Sequence, residues 1–150
     1  LGVKLVRVPT LEVVAQNALD LADPPAHVAV LLDAKRSHVY ACACQRQGGR
    51  YAALAPPVEA DPAAFLASMP PDSGVLGEGV EAHRTVIEAS GLKISAGVSH
   101  APDARIVLQL GREAAIAGRF TEPRNLVPIY IRRAEAEERW EARHGAVGVA

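Results

Sequence analysis

Asp33 is the carboxylate in this sequence whose position best suits chemistry. It ends the apolar run Val28–Asp33, and α/β proteins collect ligands where buried strands end. The chain then turns within four residues and continues as the alternating strand His38–Gln45. A hairpin of this kind can wrap the phosphates of a nucleotide, and Asp33 would then hold a magnesium ion.

The turn after Asp33 lacks the residue type that phosphate binding needs. Backbone N–H groups must come close to the anion, and glycine permits that approach. The turn instead contains Ala34, Lys35, Arg36 and Ser37. We therefore expect a structural turn in which Asp33 bonds nearby backbone groups, with Lys35 and Arg36 as solvated charges at its tip. Contact of these two cations with RNA phosphate or an acidic partner is the alternative.

A second candidate is the segment GVLGEGVEAH, which places Gly77 and Gly79 between a strand and a helix. Such a turn can approach an adenosine in a nucleotide-binding lobe. A single G-x-G is weak evidence, because tight turns use glycine for conformational reasons alone.

Cys42 and Cys44 are one residue apart in a strand, so both side chains point to the same face. Parallel side chains of this kind rarely form a disulfide. A metal site would need further ligands at suitable spacing, and the sequence supplies none. We expect both cysteines to be small buried residues.

The other polar residues do not form a recognisable catalytic arrangement. The five histidines are scattered and do not form H-x-x-x-H or H-E-x-x-H, so neither a metalloprotease nor another metal site is indicated. Paired carboxylates and a Ser-His-Asp order are also absent. His83 falls on the apolar face of a predicted helix, where a hydrogen-bonded boundary histidine is expected. The sequence therefore predicts no catalytic residue.

Composition limits the function classes further. The chain has 150 residues, of which 49% are hydrophobic and 22% charged, as expected for one globular domain. Its formal net charge of −1 provides no global basic field for nucleic acid. It contains neither an apolar run long enough to span a bilayer nor a signal peptide. Two cysteines favour a reducing cytoplasm over a disulfide scaffold.

Helical and strand-like patterns alternate along the chain. Helices are predicted over 9–22, 61–69, 80–90 and 101–120, and strands over 28–33, 38–45, 50–54, 74–76 and 126–133. Thr10 is the predicted N-cap of the first helix and Asp61, followed by Pro62, that of the second. Gly91 and Gly118 are expected to end the last two helices. We therefore predict a single α/β lobe over residues 1–150, with a mixed sheet flanked by helices.

The final residues, 134–150, form a charged tail that we expect to be flexible. Arginine and glutamate alternate through it, and its Trp140 is the single tryptophan of the chain. A solvated helix with i,i+4 ion pairs explains the charges. The alternative is that Trp140 docks on a partner, since a large aromatic in a charged helix suits a contact. Arg132 and Arg133, just before the tail, are further candidates for partner or RNA contact.

Several segments together resemble one known family. They are LGVKLVRVPTLEVVAQNA, LLDAKRSHVYACAC, LGEGVEAHR, APDARIVLQLGREAAIAG and LVPIYIRRAEAEERW, in this order. The series resembles the TsaB-type subunit of the bacterial machinery that makes threonylcarbamoyladenosine in tRNA. The resemblance covers essentially the whole chain, and its most specific parts are Leu32–Tyr40 and Pro128–Glu137.

The resemblance implies an actin-like (RNase H-like) lobe and an accessory role without catalysis. A TsaB-type subunit pairs with the catalytic subunit TsaD, helps recruit the ATPase TsaE, and meets tRNA indirectly, so ATP and metal are expected on the partners and no cofactor on this chain. Asp33, Gly77 and Gly79 would be degenerate nucleotide-site positions. The family's N-terminal lobe is expected to be missing here, and with it most contacts to TsaD and to a second copy.

Three other interpretations remain at this stage. One is the nucleotide-binding lobe of an actin-like or sugar-kinase-like ATPase, in which Asp33 would hold magnesium. Another is a peptidase-like homologue, since the wider superfamily has historically been called glycoprotease-like. The last is an interaction lobe with no link to tRNA modification.

Overall fold

The computed structural model describes residues 2–131 together with Trp140 and Arg143. Its helices are α1 (Thr10–Gln16), α2 (Pro62–Ala67), α3 (Gly79–Ala82), α4 (Arg84–Ser90) and α5 (Ala104–Ile116). Its strands are β1 (His27–Asp33), β2 (Val39–Gln47), β3 (Arg50–Ala53), β4 (Val58–Ala60), β5 (Gly74–Leu76) and β6 (Lys93–Ile94). Short 3₁₀ turns cover Asn17–Asp20 and Pro123–Asn125.

The six strands form one mixed sheet in the order β3-β2-β1-β5-β6, with β4 paired to β2. β1 and β2 are an antiparallel hairpin in which Asp33 lies opposite Val39. β1, β5 and β6 run parallel, so their carboxyl ends meet at the same edge of the sheet. The helices flank this sheet, and the predicted α/β class is confirmed.

The two faces of the sheet bury different side chains, as the two-residue period of a strand requires. Val28, Val30, Cys42, Cys44 and Leu76 lie on one face, where α1 packs. The other face is buried by α2, α3 and α4; its core comprises Ala29, Leu31, Val39, Ala41, Val75, Leu66, Val80 and Ile87. Both cysteines are buried and free, as predicted.

A buried glutamine joins α1 to the outer strand β3. The Gln16 Nε2 donates to the carbonyl oxygens of Glu12, at 2.8 Å, and Tyr51, at 2.9 Å. Its Oε1 accepts from the Tyr51 N–H at 2.8 Å. Gln16 therefore satisfies both backbone groups of Tyr51, whose hydroxyl in turn donates to the Pro25 carbonyl at 2.6 Å.

The predicted helix starts are partly right. The Asp61 carboxylate accepts from the Ala64 N–H at 2.9 Å, which confirms Asp61 as the cap of α2. Thr10 is not an N-cap: α1 begins at Thr10 itself, and Pro9 occupies the cap position without a side-chain bond. The restricted φ of proline already sets the entry to that helix.

The predicted helix over 80–90 is interrupted at His83, so α3 and α4 are separate. His83 has φ −116° and ψ 18°, which do not belong to an α-helix. Gly91 ends α4 in the left-handed conformation that was predicted, with φ +76°. Gly118, with φ +71°, follows the end of α5, and its N–H donates to the Ala115 carbonyl.

The strand predicted over 126–133 is not formed in residues 126–131, which have no strand partner. Residues 132 and 133 lie outside the described part of the chain. Helical periodicity places Ile106, Val107, Leu110, Ala114 and Ala117 on one apolar face of the predicted helix over 101–120. This face is less buried than that pattern predicts, since Ala114 is the only buried residue of α5 and Val107 is 41% exposed. None of the helices in the described ranges has the length and apolarity needed to cross a bilayer.

Candidate functional site

The turn after Asp33 is held by the carboxylate itself. Asp33 Oδ1 accepts from the Lys35 N–H at 3.0 Å, and Oδ2 accepts from Lys35 Nζ at 3.2 Å. These two hydrogen bonds from Lys35 lower the pKa of Asp33. The predicted structural turn, in which Asp33 bonds nearby backbone, is therefore present.

The tip of the hairpin has an unusual backbone for residues that are not glycine. Lys35, Arg36 and Ser37 have φ values of +66°, +51° and +63°. The left-handed region costs such residues roughly 1–2 kcal/mol each. Hydrogen bonds close the loop: the Ala34 N–H donates to the His38 carbonyl and the His38 N–H to the Lys35 carbonyl, both at 3.0 Å. The tip is thus fixed without the glycines that a phosphate loop would use.

Gly77 and Gly79 are explained by the approach of β1. Gly77 has φ +114°, and a Cβ there would collide with the Leu31 carbonyl oxygen. A Cβ on Gly79 would lie 3.1 Å from the same oxygen and 3.2 Å from the Asp33 nitrogen. The two glycines therefore let the turn between β5 and α3 pack against the backbone of β1.

The Gly77 amide has a side-chain partner. Its N–H donates to Nδ1 of His100, at 3.0 Å, from the loop between β6 and α5. A cleft of about 370 Å³ lies beside this contact. It is lined by Gly77, Glu78, Val80, Glu81, Arg84, Ile94, Ala96 and His100.

His83 lies at the junction of α3 and α4, close to Asp33. Its side chain is only 9% exposed, and Nε2 lies 4.0 Å from Asp33 Oδ1. Within the described residues, Nε2 has no hydrogen-bond partner. The predicted burial of this histidine is confirmed, and the hydrogen bond expected for its ring is not made by Nε2 within the described residues.

The sequence candidates therefore meet at one edge of the sheet. Because β1 and β5 run parallel, Asp33 and the Gly77–Gly79 turn lie side by side, with His83 next to them. Sequence reasoning missed His100, whose position on a loop gives no local signal. The ranges that the structure describes contain no group of three His, Cys, Asp or Glu side chains able to hold a metal ion.

The candidate contact residues are spread over the surface. Lys35 is 84% exposed at the hairpin tip, beside the exposed Arg36, and Trp140 is 49% exposed. Arg132 and Arg133 lie outside the described residues, as does most of the 134–150 tail. Lys35 Nζ bonds Asp33 Oδ2, within the hairpin itself.

A set of exposed apolar side chains was also missed from the sequence. It includes Leu108 and Ile116 of α5, at 73% and 77% exposure, and Tyr130, at 80%. Leu108 and Ile116 lie off the apolar face that helical periodicity predicts for α5. Large apolar residues outside that face are the sequence signal that could have identified this exposed set. Residues 127–131 and the start of α1 also line an open, mostly apolar groove of about 490 Å³ beside β2.

Comparison with known proteins shows similarity in structure. No protein-family model matches the chain, and no curated protein matches it. One similar solved structure is an uncharacterized Pseudomonas aeruginosa protein with similarity to the peptidase YeaZ, at TM-score 0.68 and 22% identity over 86% of this chain. Another is YeaZ from Pseudomonas aeruginosa, at TM-score 0.66 and 21% identity over 85% of this chain.

This chain spans 59% of the length of both structures. At such low sequence identity the likeness concerns the fold. The chain therefore has the actin-like (RNase H-like) α/β fold.

Proposed function

We propose that this chain is part of a non-catalytic, TsaB-type partner of a TsaD-type subunit. In that role it supports threonylcarbamoyl transfer to the adenosine beside the tRNA anticodon. The observation that carries the proposal is the shared fold with YeaZ, a name used for the TsaB-type subunit, over more than four fifths of this chain.

The sheet edge that would serve a nucleotide supports a role without catalysis. Both carboxylate oxygens of Asp33 are bonded to Lys35. The N–H of Gly77 is bonded to His100, and the space above Gly77 and Gly79 is taken by the β1 backbone. Groups that bind phosphate must be free to face it, so this edge favours a structural role.

ATP and metal would then belong to the partner subunits. TsaD would carry the chemistry, TsaE would be the ATPase that the assembly recruits, and tRNA would be met through the complex. The chain spans 59% of its structural neighbours. The remaining part of such a protein would supply most of the contact with TsaD and with a second copy, in a cytoplasmic complex.

The exposed side chains of this chain supply further contact area. Arginine and tryptophan are frequent energetic centres of protein interfaces, and Trp140 is half exposed next to a charged segment. Lys35 and Arg36 at the hairpin tip would contact an acidic surface or RNA phosphate. Arg132 and Arg133, which precede Trp140 in the sequence, are further candidates for contact with the partner or with RNA.

The enzymatic alternatives have less support. A peptidase role is suggested by one structural neighbour, the uncharacterized protein with similarity to peptidase YeaZ. A metallopeptidase needs a set of ligands, and the described ranges hold no such group. An ATPase lobe would need free backbone donors at the hairpin, where the tip residues are Lys35, Arg36 and Ser37.

The test is binding between the natural gene product that contains this sequence and the TsaD-type subunit of the same organism. We expect a stable complex by size-exclusion chromatography. Trp140→Ala is expected to weaken it by about tenfold or more, as for an interface hot spot. Leu54→Ala, which truncates an apolar side chain that is 53% exposed, is the matched control. Absence of any complex with the unaltered gene product would contradict the proposal, and equal affinity of Trp140→Ala would remove Trp140 from the interface.

A further inference from the structure

His100 connects the loop between β6 and α5 to the glycine turn by one hydrogen bond. The Gly77 N–H donates to His100 Nδ1 at 3.0 Å. An imidazole that accepts at Nδ1 is neutral and carries its proton on Nε2. When the ring takes up a second proton, both nitrogens become donors and this hydrogen bond is lost.

We propose that His100 is a pH-sensitive latch that holds the loop before α5 against the Gly77 turn at neutral pH and releases the Gly77 amide in acid. The charge change of a histidine side chain ordinarily falls between about pH 5 and 8. In acid, water from the adjoining cleft of about 370 Å³ would accept the hydrogen bond of the Gly77 N–H in place of His100.

A second tether limits the change to the glycine turn. The Asn17 side chain, which is 3% exposed, donates to the carbonyl oxygens of Ser99 and Ala101 at 2.8 and 2.9 Å. Amide side chains do not titrate between pH 5 and 8. Ser99 and Ala101, which flank His100, thus stay bonded to Asn17 at every pH. Loss of the His100 hydrogen bond therefore changes only the imidazole ring and the Gly77 turn.

The charged groups around the cleft are few. Glu78, Glu81 and Arg84 line it together with His100. Arg84 Nη2 donates to Glu81 Oε2 at 2.7 Å, and this hydrogen bond lowers the pKa of Glu81. Glu81 and Arg84 therefore keep their charges through the relevant range. Glu78 is the other carboxylate that faces the cleft.

Two more groups must be distinguished from His100. At the end of its loop, Asp103 is bonded to Arg105, whose hydrogen bonds lower the pKa of Asp103. Behind the glycine turn, His83 lies near Asp33, whose pKa is lowered by its hydrogen bonds from Lys35. Because His83 is a second histidine near the glycine turn, a control variant must replace it to show that any pH effect comes from His100.

The test measures hydrogen exchange of the Gly77 amide by NMR, expressed as protection relative to the intrinsic rate at each pH, with the His100 ring protons followed in the same samples. We expect protection to fall by about five- to tenfold as the ring becomes charged, which is the value of one ordinary hydrogen bond. The midpoints of the two titrations should coincide.

Three variants separate the latch from its surroundings. His100→Asn keeps an acceptor on the atom that Nδ1 occupies and should hold Gly77 protected at every pH. His100→Phe keeps a ring without an acceptor and should leave Gly77 unprotected at every pH. His83→Gln should behave as the unaltered protein does. Two results would overturn the latch: protection of the Gly77 amide that does not change with pH in the unaltered protein, or the same loss of protection in acid in His100→Asn. The first result needs only the unaltered protein, so it decides the question even if a variant does not fold.

Discussion

The Oδ1 atom of Asp33 lies 4.0 Å from Nε2 of His83, so the two side chains are close without being hydrogen-bonded. Asp33 is instead bonded to the backbone and side chain of Lys35. The Asp33 carboxylate therefore stabilises the hairpin turn that follows β1. The ring of His83 fills the junction between α3 and α4, where it has no hydrogen-bond partner at Nε2 in the described chain.

Asp33→Asn should make stability less sensitive to acid. The hydrogen bonds from Lys35 lower the folded-state pKa of Asp33, so its contribution is fully present above the unfolded pKa of about 3.9 and is lost as the pH falls through the lower folded value. Asparagine retains an acceptor for the Lys35 N–H and removes the charge. We expect a slightly lower Tm for the variant at pH 6 and a difference that shrinks toward pH 2. A difference that stays constant over this range would contradict the role assigned to the charge.

Gly77→Ala should destabilise the fold strongly, by about 3 kcal/mol or more, because a Cβ there meets the Leu31 carbonyl and φ is +114°. Gly97→Ala is the matched control, since Gly97 also has a positive φ, of +85°, with nothing within 4 Å of a Cβ. Its cost should be about 1 kcal/mol. Urea unfolding measures both values. Equal losses would show that the approach of β1 does not determine this glycine.

Gln16→Leu should cost about 2–4 kcal/mol of unfolding free energy, because it leaves the buried N–H and carbonyl of Tyr51 without partners. Gln109→Leu, on the exposed surface of α5, should change stability by less than about 0.5 kcal/mol. Chemical denaturation of the two variants gives the comparison. If both cost the same, Gln16 would not be the tie between α1 and β3.

Local chemistry made much of the fold predictable. The apolar run Val28–Asp33 and the alternating pattern of His38–Gln45 identified the hairpin, which the structure has as His27–Asp33 and Val39–Gln47. The Asp61-Pro62 pair marked a helix start, since both residues act within one turn of backbone. Such features depend on neighbours in sequence.

Features that depend on distant partners were not predictable. Periodicity continues through His83, so the break between α3 and α4 is not visible in the sequence. The apolar run 126–131 indicated a strand, but a strand also needs a neighbour to pair with, and Pro128 lacks the backbone N–H that would donate to that neighbour. The short strands β4 and β6 are defined by their pairing with β2 and β5, which are distant in sequence, and they were missed for the same reason.

The candidate site shows the same division. Asp33, Gly77 and Gly79 were identified from residue type and position at strand ends. What they contact was not, because the approach of Leu31 to Gly77 and the hydrogen bond from Gly77 to His100 join segments 46 and 23 residues apart. The structural use of the glycines thus became visible only with the tertiary contacts.

Calorimetric titration of residues 1–150 with ATP and magnesium tests the central claim most directly, because it asks whether this edge of the sheet still binds a nucleotide. We expect no saturable heat, since the groups that would face phosphate are bonded within the chain. Asp33→Ala provides the matched variant. Magnesium-dependent ATP binding that Asp33→Ala abolishes would contradict the account and establish Asp33 as a ligand of a working nucleotide site.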